Sequence, residues 1–186
     1  MKKRYPVIGF TGAAGSGKDT AADVLQQACR FLKLSFAEPL YEMVSIVTRT
    51  PVDLLKTRAG KEVTLDRIGV SPRKMLQTLG TEWGREMVSP DIWIKNLDGR
   101  LSAIDRRTGL LGLVIPDVRF QNEVDYIHEL GGEVWRIDRI YNPNAISSGH
   151  SSELPPLGVD DLIVNHGTIE TFHKLVLLKY VDYLGV

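Results

Sequence analysis

The stretch Val7–Thr20 reads VIGFTGAAGSGKDT, an apolar run that leads directly into a glycine-rich segment with a lysine near its end. Residues Gly12–Lys18 fit the pattern GxxxxGK, in which backbone N–H groups converge on an anion and the lysine adds a positive charge. An amphipathic run, Ala21–Cys29, follows, and a helix N-terminus there would also attract phosphate. The stretch therefore predicts a strand, a phosphate-binding loop and a helix. The residues expected to contact phosphate are Gly12, Ala14, Gly15, Ser16, Gly17, Lys18, Asp19 and Thr20.

One position of this loop departs from the commonest form, because Asp19 stands where a serine or threonine usually ligates Mg²⁺. The hydroxyl comes one residue later, as Thr20. The loop resembles the GSGKGT and GSGKDT loops of small-molecule kinases, which implies that Thr20 meets the phosphates and that Mg²⁺ is held largely through water. Asp19 either approaches the metal or only places a favourable charge at the helix N-terminus.

The composition indicates one domain without a charge bias. The chain has 186 residues, 43% of them hydrophobic, and Lys plus Arg equals Asp plus Glu at 23 each. Balanced charge offers no general field for nucleic acid, and no apolar stretch approaches the roughly 20 residues that span a bilayer. A single cysteine, Cys29, excludes a disulfide within the chain. We therefore expect a single intracellular domain over residues 1–186, without nucleic-acid or membrane partners.

Apolar runs that alternate with helical patterns predict a parallel sheet. The predicted strands are Val7–Thr11, Leu34–Phe36, Leu111–Ile115, Val134–Ile137 and Leu162–Val164. Such alternation is typical of a three-layer, doubly wound α/β fold. The predicted helix boundaries are starts at Ser71–Pro72 and Ser89–Pro90, an end at Gly131–Gly132, and a closing helix over Thr168–Leu184. A long segment between the second and third strands predicts a helical insertion at about 38–98.

The run Asp117–Glu123, DVRFQNE, follows a predicted strand, at the edge of the sheet where ligands bind in open α/β folds. Asp117 is suited to holding a metal-bound water or orienting an attacking group, and Arg119 to clamping a phosphate. The alternative is an ion pair between Asp117 and Arg119 at a helix start.

The insertion carries side chains suited to a phosphate and a base. The candidates are Arg73, Gln77, Trp83, Arg85, Asp91 and Trp93. Arg73 and Gln77 are four residues apart, hence on one helical face, and the two indoles offer flat surfaces for base stacking. The alternative is that these tryptophans belong to a core.

Two later motifs complete the set of candidates. The irregular stretch Tyr141–His150 favours a mobile loop, and His150 and Glu153 after it either contact substrate or form a local surface pair. Asn165 and Gly167 follow the last predicted strand, where their backbone would border an adenine.

Five motifs spread along the chain resemble those of the deoxynucleoside monophosphate kinases of tailed bacteriophages and prophages, a branch of the P-loop kinases. They are Gly12–Thr20, Leu76–Arg85, Asp117–Glu123, His150–Glu153 and Asp161–Asn165. The resemblance implies transfer of the ATP γ-phosphoryl group to a (deoxy)nucleoside monophosphate with Mg²⁺ as cofactor, in the host cytoplasm if the protein is phage-encoded. It also implies an acceptor-binding insertion at about 38–98, a lid at about 139–153, and a homodimer as a candidate assembly.

The resemblance also implies roles for individual residues. The catalytic set is Lys18, Asp117, Arg119, Arg136 and Arg139; the metal set is Asp19, Thr20 and Asp117; the acceptor set is Arg73, Gln77, Trp83, Arg85, Asp91, Trp93, His150 and Glu153. Convergent arginines fit phosphoryl transfer, which needs positioning and charge rather than an activated nucleophile.

Two other functions are compatible with the same motifs. One is a P-loop kinase for another phosphorylated metabolite, such as dephospho-coenzyme A or phosphomevalonate. The other is a regulator that binds ATP without transferring phosphate, although the arginines on the acceptor side argue against it.

Overall fold

The structure is a computed structural model that describes residues 5–104, 109–140 and 158–185. The strands are β1 (Val7–Thr11), β2 (Phe31–Lys33), β3 (Gly112–Ile115), β4 (Glu133–Arg139) and β5 (Asp161–Asn165). The helices are α1 (Lys18–Cys29), α2 (Glu38–Thr48), α3 (Val52–Lys56), α4 (Arg58–Glu62), α5 (Pro72–Thr78), α6 (Ile92–Ala103), α7 (Gln121–Glu129) and α8 (Ile169–Leu184), with a π-helix at Leu79–Val88 between α5 and α6. Among the residues described, no helix combines the length and the apolar character needed to cross a membrane.

The chain divides into two compact units. The first, which we call the sheet unit, comprises Met1–Ser35 and Ala103–Val186. The second, the helical unit, comprises Phe36–Ser102 and covers nearly the same residues as the insertion predicted at about 38–98. All five described strands lie in the sheet unit, so the phosphate loop after β1 belongs to it.

The described strands form one parallel sheet in the order β2-β3-β1-β4-β5, which confirms the expected doubly wound α/β fold. The central strand is β1, and its neighbours come from far along the chain: Val7 aligns with Leu113 of β3, and Ile8 with Glu133 of β4. The strand order therefore reverses beside β1. At such a point the carboxyl ends of the strands border a crevice in which ligands bind.

The two faces of the sheet are covered by different helices, which gives the three expected layers. Ile8 and Phe10 of β1 join a buried cluster with residues of α1 and α8, such as Phe172. Gly9 faces the other way, because a Cβ there would lie 2.5 Å from the Cδ1 atom of Ile127 in α7.

The second strand was predicted at Leu34–Phe36, and this prediction is wrong, because β2 covers Phe31–Lys33. Arg30 adopts a left-handed conformation (φ 56°) and donates its backbone N–H to the carbonyl of Leu25, so α1 ends and the chain enters β2 at once. Phe31 is then buried, with its ring edge-on to Tyr180 at 5.2 Å. The apolar character of Leu34 reflects burial after the strand rather than strand formation.

Several predicted helix boundaries are confirmed. Ser71 accepts a hydrogen bond from the backbone N–H of Lys74 at the start of α5, and Thr168 caps α8 in the same way. Gly131, just beyond α7, has a φ of 78° that favours glycine. These helix ends could be predicted from the sequence because each depends on residues close together in the chain.

The π-helix was not foreseen from the sequence. Trp93, which is only 5% exposed, donates its indole N–H to the carbonyl of Gly80 at 2.8 Å. Gly84 lies beneath the same ring, since a Cβ there would come within 2.5 Å of the Trp93 Cζ2 atom. The backbone N–H of Ser89 bonds to the Gly84 carbonyl, five residues back, at 2.9 Å. Long π-helices are rare, and π turns are often found at functional sites.

Candidate active site

The loop after β1 has a backbone that only glycine accommodates. Gly12, Gly15 and Gly17 have φ values of 134°, 76° and 113°. A Cβ on Gly12 would lie 2.3 Å from the carbonyl oxygen of Ile137, and one on Gly17 would lie 2.7 Å from the Nδ2 atom of Asn165. Successive N–H groups in such a loop form a concave anion site, ahead of the N-terminus of α1.

The polar side chains of the loop match the same ligand. Lys18 donates its ammonium to the carbonyls of Gly12 and Ala13, at 2.8 and 2.7 Å, so the charge already lies on the loop. Ser16 is 1% exposed, and its hydroxyl has no hydrogen-bond partner among the residues that the structure describes. A buried hydroxyl without a partner is costly, and a phosphate oxygen would satisfy it.

A cavity of about 310 Å³ opens beside the loop, within the size range of nucleotide and cofactor pockets. Its lining residues are Gly15, Gly17, Lys18, Asp19, Thr20, Arg139, Asn165, Gly167, Thr168, Ile169 and Phe172. The structure thus brings Asn165 and Gly167 to the loop, and the Asn165 amide donates to the Ser16 carbonyl at 2.7 Å. Sequence reasoning missed Thr168, Ile169 and Phe172, whose only signal was their position just after β5.

The turn after β3 places Asp117 and Arg119 at the carboxyl edge of the sheet. The hydroxyl of Ser35 donates to the Oδ2 atom of Asp117 at 2.7 Å. The buried carboxylate of Glu123 accepts from the backbone N–H groups of Arg119 and Phe120, at 2.7 and 3.0 Å. Ser35 and Glu123 were not predicted as site residues, although Glu123 closes the DVRFQNE run and a carboxylate three residues into a helix is a known capping signal.

The two arginines of β4 are placed differently. Arg139 lies at the carboxyl end of the strand, lines the cavity, and has its Nη1 atom 3.5 Å from the carbonyl of Gly15. Arg136 pairs with Asp138 on the same strand, with Nε and Oδ1 2.7 Å apart. Arg139 is therefore the one of the two that the structure brings against the phosphate loop.

The predicted metal ligands differ in their surroundings. The carboxylate of Asp19 is 83% exposed and lies 3.5 Å from the ammonium of Lys33, which also pairs with Asp23 at 2.7 Å. Thr20 lines the cavity. Within the described ranges, no three His, Cys, Asp or Glu side chains converge as a metal site. Thr20 and Asp117 suit Mg²⁺, which keeps several waters and needs few protein oxygens when phosphates supply others.

Six of the eight predicted acceptor residues lie in the helical unit, and the structure gives contacts for several of them. Arg73 pairs with Glu62 at 2.7 Å, and Arg85 donates to the carbonyl of Pro90 at 2.8 Å. Trp83 is 38% exposed, whereas Trp93 is buried beneath the π-helix. That burial favours a core role for Trp93 and leaves Trp83 as the indole open to a ligand.

The remaining acceptor residues are two in the helical unit and two in the predicted lid. Gln77 is on α5, and Asp91 immediately precedes α6 and accepts the backbone N–H of Lys95 at its carbonyl. His150, Glu153 and most of the predicted lid at 139–153 lie outside the described residues.

The central strand, its glycine-rich loop and the parallel sheet define a P-loop protein of the α/β class. A solved structure of a Thermus thermophilus protein shares this fold, with a TM-score of 0.54 at 17% identity, over 98% of this chain and 99% of that one. The family model for deoxynucleotide monophosphate kinase matches residues 46–176, and the chain belongs to that family.

Two viral proteins are similar in sequence to nearly the whole chain. A mimivirus protein is named a putative deoxynucleotide monophosphate kinase. It is 36% identical over an alignment of 185 positions, which covers 92% of this chain and 94% of that protein. A deoxynucleoside-5'-monophosphate kinase of Escherichia phage T5 is 28% identical and covers 95% of this chain and 94% of its own length. The family resemblance expected from the motifs is therefore confirmed, and the chain is a phosphotransferase.

Proposed function

We propose that the chain transfers the γ-phosphoryl group of ATP to a deoxynucleoside monophosphate and releases ADP and the deoxynucleoside diphosphate. An oxygen of the acceptor phosphate bonds to the γ-phosphorus as the bond to the β–γ bridging oxygen breaks. The supporting observation is a loop whose backbone requires glycine at Gly12 and Gly17, beside a cavity of about 310 Å³, in a chain of the deoxynucleotide monophosphate kinase family.

On the donor side, the loop amides and Lys18 bind the β- and γ-phosphates of ATP. The Ser16 hydroxyl gains its missing partner from a phosphate oxygen. Asn165 and Gly167 border the nucleoside, since both line the cavity with Ile169 and Phe172. Bound Mg²⁺ would neutralise charge on the phosphates, and Thr20 and Asp117 are the residues that would hold it. Asp19 stays a weaker candidate because Lys33 already lies beside its carboxylate.

Arg119 and Arg139 neutralise the transferring group. Both come from the carboxyl edge of the sheet, one after β3 and one at the end of β4. A guanidinium binds phosphate through two parallel hydrogen bonds and adds orientation as well as charge. Arg136 takes part only if its pairing with Asp138 opens.

On the acceptor side, we assign the helical unit to the monophosphate. Arg73 and Arg85 bind its phosphate, Gln77 and Asp91 contact polar groups of the nucleoside, and Trp83 stacks on the base. Trp93 supports this surface from beneath rather than touching the substrate. His150 and Glu153, in the proposed lid at about 139–153, would exclude water, which otherwise consumes ATP.

We further propose that the enzyme works in the cytoplasm on small molecules, without nucleic acid. The formal net charge of zero gives no field for polyanions. A homodimer is the candidate assembly, and sedimentation equilibrium tests it.

The test is ADP release from Mg-ATP with each of dTMP, dGMP, dAMP and dCMP, their ribonucleotide forms and dephospho-coenzyme A, with a control that lacks acceptor. We expect turnover with one or more deoxynucleotides and none with dephospho-coenzyme A. Turnover with dephospho-coenzyme A alone, or ATP binding without transfer to any acceptor, would overturn the proposal.

A further inference from the structure

A hydrogen bond joins the ends of two neighbouring strands at the ligand edge of the sheet. Ser35, just beyond β2, donates its hydroxyl to the Oδ2 atom of Asp117, just beyond β3, at 2.7 Å. Both residues belong to the sheet unit although they lie 82 positions apart in the chain. The adjacent backbone extends the strand pairing, because the N–H of Leu34 bonds to the carbonyl of Val114 at 3.1 Å. Ser35 is therefore held in place by the sheet itself.

The backbone around Asp117 is fixed by other contacts. The N–H of Val118 donates to the carbonyl of Phe10 at the end of β1, at 3.1 Å. Beyond it, the Glu123 carboxylate accepts the N–H groups of Arg119 and Phe120. These bonds fix where the Asp117 side chain starts, but they do not fix the rotation of its carboxylate, for which the terminal torsion is broad. The hydrogen bond from the Ser35 hydroxyl is made to the carboxylate itself, so it favours one rotation of that group.

We propose that Ser35 is a positioning residue, whose hydroxyl sets the orientation of the Asp117 carboxylate toward the Mg²⁺ of the bound nucleotide. The inference rests on the role given to Asp117 in the proposed function. Residues that hydrogen-bond to a metal ligand change metal affinity or activity by about 10–100-fold when they are replaced. Sequence reasoning missed Ser35 because no motif includes it, and only the sheet brings it to Asp117.

The experiment compares Ser35→Ala, which removes the hydroxyl, with Ser35→Thr, which keeps it. The control is Ser102→Ala, an exposed serine on α6. The first readout is calorimetric affinity for Mg²⁺ in the presence of a non-hydrolysable ATP analogue, which needs no turnover. The second is kcat and the KM for the deoxynucleotide. Thermal unfolding of each variant checks that the fold is retained.

We expect Ser35→Ala to weaken Mg²⁺ affinity and lower kcat by about tenfold, with the deoxynucleotide KM unchanged. Ser35→Thr should stay close to the parent enzyme, and Ser102→Ala should match it. In an Asp117→Asn background, Ser35→Ala should have little further effect on Mg²⁺ affinity, because the residue acts through that carboxylate.

Three results would overturn the inference. Ser35→Ala could match the parent enzyme in Mg²⁺ affinity; it could lose the same factor with Asp117→Asn present; or Asp117→Asn alone could leave Mg²⁺ affinity unchanged. An unchanged Mg²⁺ affinity in Asp117→Asn would also show that Asp117 does not help to hold Mg²⁺. The proposed kinase activity itself would stand, since the acceptor panel with the parent enzyme tests it separately.

Discussion

The phosphate loop of the sheet unit and the π-helix of the helical unit each contain a glycine at a position where a larger side chain would clash. Gly12 lies against the Ile137 carbonyl, and Gly84 lies against the ring of Trp93. The loop was predictable, because a phosphate demands certain residue types at a fixed spacing. The π-helix was not predicted, because its contacts with the buried Trp93, a hydrogen bond at Gly80 and a close approach at Gly84, follow no known motif. A backbone requirement can therefore be predicted from the sequence where a ligand fixes the residue types and spacing, but not where a tertiary packing contact imposes it.

The largest expected effect concerns the loop. Replacing Lys18 by alanine should lower kcat by about 100-fold or more, because the transferring group loses a positive charge placed beforehand. The unfolding temperature should change little, since the two carbonyls to which the ammonium donates, those of Gly12 and Ala13, belong to its own loop. Steady-state ADP release measures the loss, and Lys174→Ala, on the exposed surface of α8, is the matched control. A Lys18→Ala enzyme with full turnover would end the assignment of this loop to the γ-phosphate.

The next test applies the same substitution to both regions. In Gly12→Ala, the new Cβ would lie 2.3 Å from a backbone carbonyl at a φ of 134°, so the variant should lose measurable ATP binding in calorimetry. In Gly84→Ala, the Cβ would meet Trp93 at 2.5 Å, which should cost about 1–3 kcal/mol of stability and raise the deoxynucleotide KM. The ATP affinity of Gly84→Ala should not change.

Gly99 provides the control for both substitutions. It lies in α6, and a Cβ there would meet nothing within 4 Å. Gly99→Ala should therefore stabilise the protein by about 0.5–1 kcal/mol in denaturant unfolding. If Gly84→Ala instead weakened ATP binding as much as Gly12→Ala does, the division of donor and acceptor between the two units would be wrong.

A smaller effect separates the two indoles of the helical unit. Trp93→Phe keeps most of the ring but removes the indole N–H that donates to the Gly80 carbonyl in the buried interior, which should cost about 1–3 kcal/mol in unfolding free energy. Trp83→Phe should change stability by no more than about 0.5 kcal/mol, because Trp83 is partly exposed. Its effect should appear in the deoxynucleotide KM. Equal stability losses in the two variants would contradict the structural role given to the buried Trp93 and its hydrogen bond to Gly80.

The smallest effect uses Cys29 as a reporter in the sheet unit. Burial raises the pKa of the Cys29 thiol, so at pH 8 less of it is thiolate than in the unfolded chain and alkylation should be slower. The alkylation rate should increase as the pH is raised above 8, because more of the thiol becomes thiolate. Gly12→Ala, which strains the loop before α1, should accelerate labelling, whereas Gly84→Ala should not. Iodoacetamide labelling followed by mass spectrometry measures both rates.

Much of the sheet unit could be predicted from the sequence, and the exceptions share a physical cause. Strand β1, the loop and the cap at Thr168 follow from local patterns, as does the cap at Ser71 in the helical unit. The second strand was misplaced because burial of Leu34 outside a strand gives the same apolar signal as a strand.

The residues missed around the candidate site depend on contacts between distant segments. Ser35 bonds to a carboxylate 82 positions away. Asn165 and Ser16 were both predicted as site residues, but the hydrogen bond between them, across 149 positions, was not. Periodicity and spacing along the chain carry no record of such pairs. Glu123 was the exception, since its capping position can be read locally.

The position of β1 at the centre of the sheet has a consequence for the nascent chain. Its partners begin at Leu113 and Glu133, so β1 leaves the ribosome with both edges unpaired and an apolar sequence exposed. At roughly 5–20 residues per second, several seconds pass before those partners are made. The helical unit, Phe36–Ser102, is completed within that interval. Overproduction should therefore be limited by aggregation of unfinished chains, and slower growth at low temperature or extra chaperones should raise the soluble yield.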